Sequence, residues 1–189
     1  MYTKLLVVAT LAVMFSSTVK AESFFAQMVL QDVTFQVESP NDSSINQVVV
    51  RANTSEGSFG QIQAEADGTI TKVEIEDLDA DGYPEIYVSV NSVGSGSYGS
   101  LIAYASNQNK SLSEIHLPSI EDNPQLSQGY MGHDEFAVGE GTLVRRFPVY
   151  RKGDTNAKAT GGARQIQYKL EAGETGWVLR QDRVLELPF

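Results

Sequence analysis

Two short stretches gather the side chains best suited to chemistry. The first is Asp77-Leu78-Asp79-Ala80-Asp81-Gly82-Tyr83-Pro84-Glu85, which reads D-x-D-x-D-G-x-x-E. Carboxylates at positions 1, 3 and 5, a glycine at 6 and an acid at 9 resemble a calcium loop. An EF-hand needs glutamate at position 12, where this chain has Val88, and flanking helices, which the pattern does not offer. The spacing is instead that of short calcium loops between strands in some extracellular proteins, with Asp77, Asp79, Asp81 and Glu85 as candidate ligands. The other reading is an acidic turn whose aspartates cap nearby backbone groups.

The second stretch is Val93 to Ser100, VGSGSYGS. Gly94 to Gly99 matches G-x-G-x-x-G and follows a strand-like run. A dinucleotide site would need the third glycine to open a helix. Ser100 to Ala105 (SLIAYA) continues as strand instead, and no βαβ pattern surrounds it. The loop reads better as a presented tip. Gly94, Gly96 and Gly99 permit tight backbone conformations. Ser95, Ser97 and Tyr98 then supply adaptable hydrogen bonds and one large, fairly rigid contact surface. An ordinary flexible hairpin is the alternative.

Little else invites catalysis. The chain has no cysteine, so thiol chemistry, iron–sulfur clusters and cysteine zinc sites are excluded. Its two histidines are His116 and His133. His133-Asp134-Glu135 reads as a surface turn entering a strand at Phe136. Nothing in the spacing marks two of the 24 acids as a glycosidase pair. In Leu143 to Tyr150, strand alternation sends Arg145 and Arg146 to opposite faces. One of them must lie on the inner side and find a carboxylate there. Pro148 suggests an edge or a bulge.

The elements that must position these residues are strands. Lys72 to Glu76, Glu85 to Val90 and Gln165 to Leu170 alternate with period two, as half-buried antiparallel strands do. Further strands are expected over 26–37, 46–53, 100–105, 112–117, 143–150 and 176–187. Turns are expected at 66–68, 139–141 and 172–176. Segment 118–133 reads as a long loop with one short helical turn. The predicted fold is all-β, a single-domain antiparallel barrel or sandwich of about eight or more strands.

The N-terminus predicts the compartment. Lys4, the apolar run Leu5 to Phe15 and the small residues around Val19-x-Ala21 form a secretory signal with cleavage after Ala21. The run is too short for a membrane anchor. Residues 22–189 then form the exported domain. Without Lys4 and Lys20 it carries 12 basic and 24 acidic residues, a net charge of −12. Such a charge disfavours nucleic acid. It steers a cationic partner, or simply keeps the domain soluble.

Three blocks in order resemble one family: DLDADGYPEIYVSVNSVGSGSYGSLIAY, YMGHDEFAVGEGTLVRRFPVYRKGD and TGGARQIQYKL. Together they resemble the periplasmic inhibitors of invertebrate-type (i-type) lysozyme, over roughly Asp77 to Leu179. The resemblance implies an antiparallel β fold and no enzymatic activity. It also implies a serine–glycine–x–tyrosine loop, here Ser95, Gly96, Ser97 and Tyr98, that enters the lysozyme cleft. Gly94 and Gly99 would keep that loop narrow. The implied partner is an i-type lysozyme, with no cofactor required. The residues before Asp77 rest on pattern alone. Two rivals stay open: a calcium-dependent extracellular protein- or glycan-binding module using Asp77 to Glu85, and a glycan-acting hydrolase. A monomer and a homodimer are equally compatible with the sequence.

Overall fold

The computed structural model describes residues 23–174 and 176–188. The expected signal segment, 1–21, lies outside the described residues. Twelve strands make up the described chain: β1 (Phe24–Leu30), β2 (Val33–Ser39), β3 (Ile45–Thr54), β4 (Gly57–Asp67), β5 (Thr69–Glu76), β6 (Glu85–Asn91), β7 (Gly99–Ser106), β8 (Leu112–His116), β9 (Glu135–Gly139), β10 (Thr142–Pro148), β11 (Ala163–Ala172) and β12 (Trp177–Leu187). The all-β expectation holds, and both expected architectures are present together. Eight strands form a nearly closed barrel in the order β5-β6-β7-β8-β12-β11-β10-β9, and β1-β2-β3-β4 form a separate meander. No helix among the described residues is long and apolar enough to cross a membrane.

The barrel's two edges, β5 and β9, meet across an incomplete seam. Side chains bridge it: Lys72 donates to the Phe136 carbonyl at 3.3 Å, and the Val138 N–H donates to Glu74 at 3.4 Å. Inside lie Tyr87, Ala103, Ile115, Leu143, Phe147 and Ile166, all buried. The meander packs against the outside of the same wall. Its Val33, Phe35, Val48 and Val50 bury Ile86, Val88 and Val90. Strand β6 is therefore buried on both faces, where alternation alone predicts one. Each such side chain stabilises by about 1.5–3 kcal/mol when fully buried.

Three expectations need correction. The single strand expected over 26–37 is a hairpin: Gln31 and Asp32 both take positive φ, +49° and +66°, and turn β1 back onto β2. A two-residue turn of that hand matches strand twist. Strand β4 was not expected, because its sequence GSFGQIQAEAD offers only Phe59, Ile62 and small alanines to the core. The pairing of β12 with β8 is parallel, Trp177 opposite Ile115, in an otherwise antiparallel barrel. Pro148 is the last residue of β10, beyond the reach of β9, so it costs that pair no ladder bond.

The 118–133 loop carries a 3-10 turn at Ile120–Asp122 and one helical turn, α1 (Pro124–Ser127). Asn123 caps α1 by accepting from the N–H groups of Gln125 and Leu126, and Pro124 occupies the first helical position. Buried Arg164 of β11 fastens this loop to the barrel, donating to the carbonyls of Gln125, Leu126 and Gln128.

Candidate functional site

The residues 92–98 connect β6 to β7 at one end of the barrel. Hydrogen bonds shape the connection from within. The Ser92 N–H donates to the Tyr98 carbonyl at 2.9 Å, and the Tyr98 N–H donates to Ser92 Oγ at 2.9 Å. The Ser97 N–H closes a turn on the Gly94 carbonyl at 3.2 Å. Ser97 itself takes φ +40°, an uncommon conformation for a residue with a Cβ.

Outside contacts hold the loop in place. The His133 N–H donates to the Gly96 carbonyl at 2.7 Å. The Asn156 side-chain amide donates to the Ser95 carbonyl, and Asn156 Oδ1 lies 3.2 Å from His133 Nε2. The Gly99 N–H donates to Asp134 Oδ2 at 2.8 Å. Two glycines are needed because neighbours come close. A Cβ at Gly96 would lie 2.4 Å from the Tyr98 ring, and one at Gly99 would lie 2.5 Å from the Asp134 Cβ. Gly94 faces open space.

Asp134 is the hub beneath. It is buried, and it accepts from Tyr130 Oη at 2.6 Å and from Arg145 Nε at 2.7 Å as well as from Gly99. Arg145 is buried too, and its guanidinium also donates to Tyr130 Oη at 2.9 Å. Burial opposes the arginine's charge, but the Asp134 carboxylate outweighs it and holds the Arg145 pKa above its ordinary value. Burial and the bond to Asp134 push the Tyr130 phenol up. Of the two arginines that alternation sends to opposite faces, Arg145 is thus the inner one, and it has the carboxylate such a residue needs. Asp134, however, is no surface-turn residue: it sits two positions before buried Phe136, on the same inner face.

Aromatic stacking completes the platform. Phe147 meets Tyr130 edge-on at 4.8 Å, and Tyr130 meets Tyr98 edge-on at 5.6 Å. Tyr98 remains 47% exposed, flanked by exposed Val93 and Met131. It is therefore outside the hydrophobic interior, on a loop that is clamped rather than free. A groove of about 300 Å³ runs beside it, between Leu101, Leu117, Pro118, Glu121 and Tyr130.

The Asp77–Glu85 stretch lies elsewhere, at the entry to β6. The four carboxylates each place an oxygen within 4.8 Å of the others. The backbone capping expected of an acidic turn is present as well. Asp77 accepts from the N–H groups of Asp81 (3.0 Å) and Gly82 (3.0 Å), and Asp81 accepts from Tyr83 at 2.8 Å. Glu85 is 1% exposed and accepts from the Leu78 N–H at 2.8 Å. Burial, with Asp79, Asp77 and Asp81 adding repulsion, pushes its pKa up to about 8. The oxygen-rich donor set suits a hard cation such as calcium.

An all-β domain thus presents one aromatic-tipped loop at its surface, held by hydrogen bonds from His133, Asp134 and Asn156. A family model described as periplasmic lysozyme inhibitor of I-type lysozyme matches residues 51–126, which include both the acidic stretch and the Ser95–Tyr98 loop. The resemblance read from the sequence thus holds. The match begins before Asp77, taking in part of β3 and all of β4, and it ends before the Tyr130, Asp134, Arg145 and Asn156 supports. No curated protein and no solved structure matches the chain.

Proposed function

We propose that the protein is a periplasmic inhibitor of i-type lysozyme that acts by inserting the Ser95-Gly96-Ser97-Tyr98 loop into the lysozyme's active-site cleft. The family match supports the role. The observation that carries the mechanism is Tyr98, exposed on a loop fixed at Ser95, Gly96 and Gly99 by partners from two other segments, His133-Asp134 and Asn156. Pre-organisation of this kind lowers the ordering cost of binding. A cleft that cuts glycosidic bonds carries a carboxylic acid and a carboxylate. The Ser95 hydroxyl can accept from the first or donate to the second. The Tyr98 ring can fill a sugar subsite while its hydroxyl bonds to the wall. No turnover and no cofactor are needed for this. Residues 1–21 would direct export and be removed after Ala21.

The test is a muramidase assay with a purified i-type lysozyme. A central aromatic anchor is worth about 2 kcal/mol or more when truncated. Tyr98→Ala should therefore weaken inhibition about 30-fold, and Ser95→Ala about tenfold. Unchanged inhibition by a folded Ser95→Ala/Tyr98→Ala double variant would reject loop insertion. The comparisons favour this reading over the calcium-dependent binding module and the hydrolase.

A further inference from the structure

Charge is distributed unevenly along the chain. Residues 141–170 hold seven basic residues against one acid, Asp154. Residues 22–140 and 171–189 hold five basic residues against 23 acids. Within the basic segment, Arg145 is spent on Asp134 and Arg164 on Glu186 and loop carbonyls. Lys169 donates to the Gly141 carbonyl at 2.7 Å, and Arg146 lies opposite Glu135 in the β9–β10 register. Arg151, Lys152 and Lys158 remain. All three are exposed, and none joins an ion pair among the described residues.

These three stand on the strap between β10 and β11, and the strap is ordered by its own bonds. Its single acid is used internally: Asp154 accepts from the Arg151 N–H at 2.7 Å and from the N–H and hydroxyl of Thr160, both at 2.9 Å. The Lys158 N–H donates to the Thr155 carbonyl at 2.9 Å, and Tyr150 Oη donates to the Asn156 carbonyl at 2.9 Å. Asn156, in the middle of the strap, is the residue that holds the Ser95 carbonyl. Three exposed cations, with Asp154 as the strap's one carboxylate, therefore stand on the segment whose Asn156 holds the first residue of the inserted loop, on an otherwise strongly acidic molecule.

We propose that this strap is a second contact element, whose Arg151, Lys152 and Lys158 read carboxylates on the rim of the cleft that the loop enters. The inference rests on the lysozyme-inhibitor reading. A glycoside-cleaving groove concentrates negative charge at its carboxyl pair. An acidic inhibitor would be repelled there unless the part that arrives first were cationic. The segregation seen here solves this: the strap leads into the acidic groove, and the acidic remainder faces the lysozyme's outer surface. Complementary patches of this kind act mostly on encounter and orientation, and they weaken with salt.

The discriminating experiment uses the purified full-length exported protein and an i-type lysozyme. Inhibition and association rate are measured for the wild type, R151Q/K152Q/K158Q, and a control charge change in the β3–β4 turn, E56K, which should leave the salt dependence of inhibition nearly unchanged. Rim charges contribute modestly one by one, so the triple variant should inhibit about tenfold less well at low salt, with most of the gap closing at high salt. Net charge alone demands the opposite: removing three positive charges would speed association with a cationic lysozyme. Equal or tighter inhibition by the triple variant overturns the proposal. Tyr98→Ala, with the strap intact, reports on the loop separately. If the wild type fails to inhibit while remaining folded, the lysozyme reading itself falls, and this inference falls with it.

Discussion

Gly96 and Glu85 each place a single side-chain choice under physical pressure. At Gly96 a methyl group would strike the Tyr98 ring, while the backbone there needs no unusual φ. Gly96→Ala should therefore leave the melting temperature nearly unchanged but displace Tyr98 and weaken inhibition. A full-strength Gly96→Ala inhibitor would show that Tyr98 need not hold its present pose. At Glu85 the pressure is electrostatic. Its folded pKa of about 8 stands above the ordinary value of 4.5, so the stability it contributes is complete below about pH 4.5 and is lost as pH rises through about 8. In chelator, the protein should lose at most about 1.4 kcal/mol per pH unit across that window. Glu85→Gln, which fixes the neutral form, should flatten the slope. Calcium should flatten it as well, by offsetting the four clustered carboxylates, and should raise the melting temperature near pH 8. A thermal melt that ignores both calcium and pH would remove the loop's candidacy as a cation site.

The β9–β10 hairpin and its approach carry the loop's support. Asp134→Ala would leave the Arg145 guanidinium buried without its partner, at a cost of about 3–5 kcal/mol. Replacing the pair with Asp134→Leu/Arg145→Met should restore much of that stability in a denaturant titration. Potency should not return, because the Gly99 N–H and the Tyr130 hydroxyl still lack their acceptor. Recovery of both would reduce Asp134 to a structural residue with no part in positioning the loop. The sequence carried the signals for most of this element. Alternation put one of Arg145 and Arg146 inside without saying which, and Pro148, read as an edge or a bulge, is instead the last residue of an interior strand. Asp134 was legible in principle: counting back two from Phe136 puts it on the face where Arg145 needs a carboxylate. Its polar neighbours His133 and Glu135 disguised it as a surface turn. The Ser95–Tyr98 loop announced itself through composition, but the clamps at His133 and Asn156 are long-range and leave no local periodicity. The β1–β2 turn was hidden for a different reason: Gln31-Asp32 lacks the glycine that usually signals such a turn.

Strand β6 is shared by both cores and so couples the meander to the barrel. Phe35→Ala, in the outer core, should cost about 3–5 kcal/mol. Trp177, the sole tryptophan, packs against the inner core. Its fluorescence should nonetheless report the same lowered midpoint as far-ultraviolet circular dichroism, as a single cooperative unit requires. Separate midpoints would mean that the two layers unfold independently. The parallel β8–β12 junction bears on when the barrel can close. The last strand seats between β8 and β11, so neither edge is covered until the C-terminal residues arrive. The meander, β5–β8 and β9–β11 can each pair early, but the barrel wall becomes continuous only when residues 177–187 dock between them.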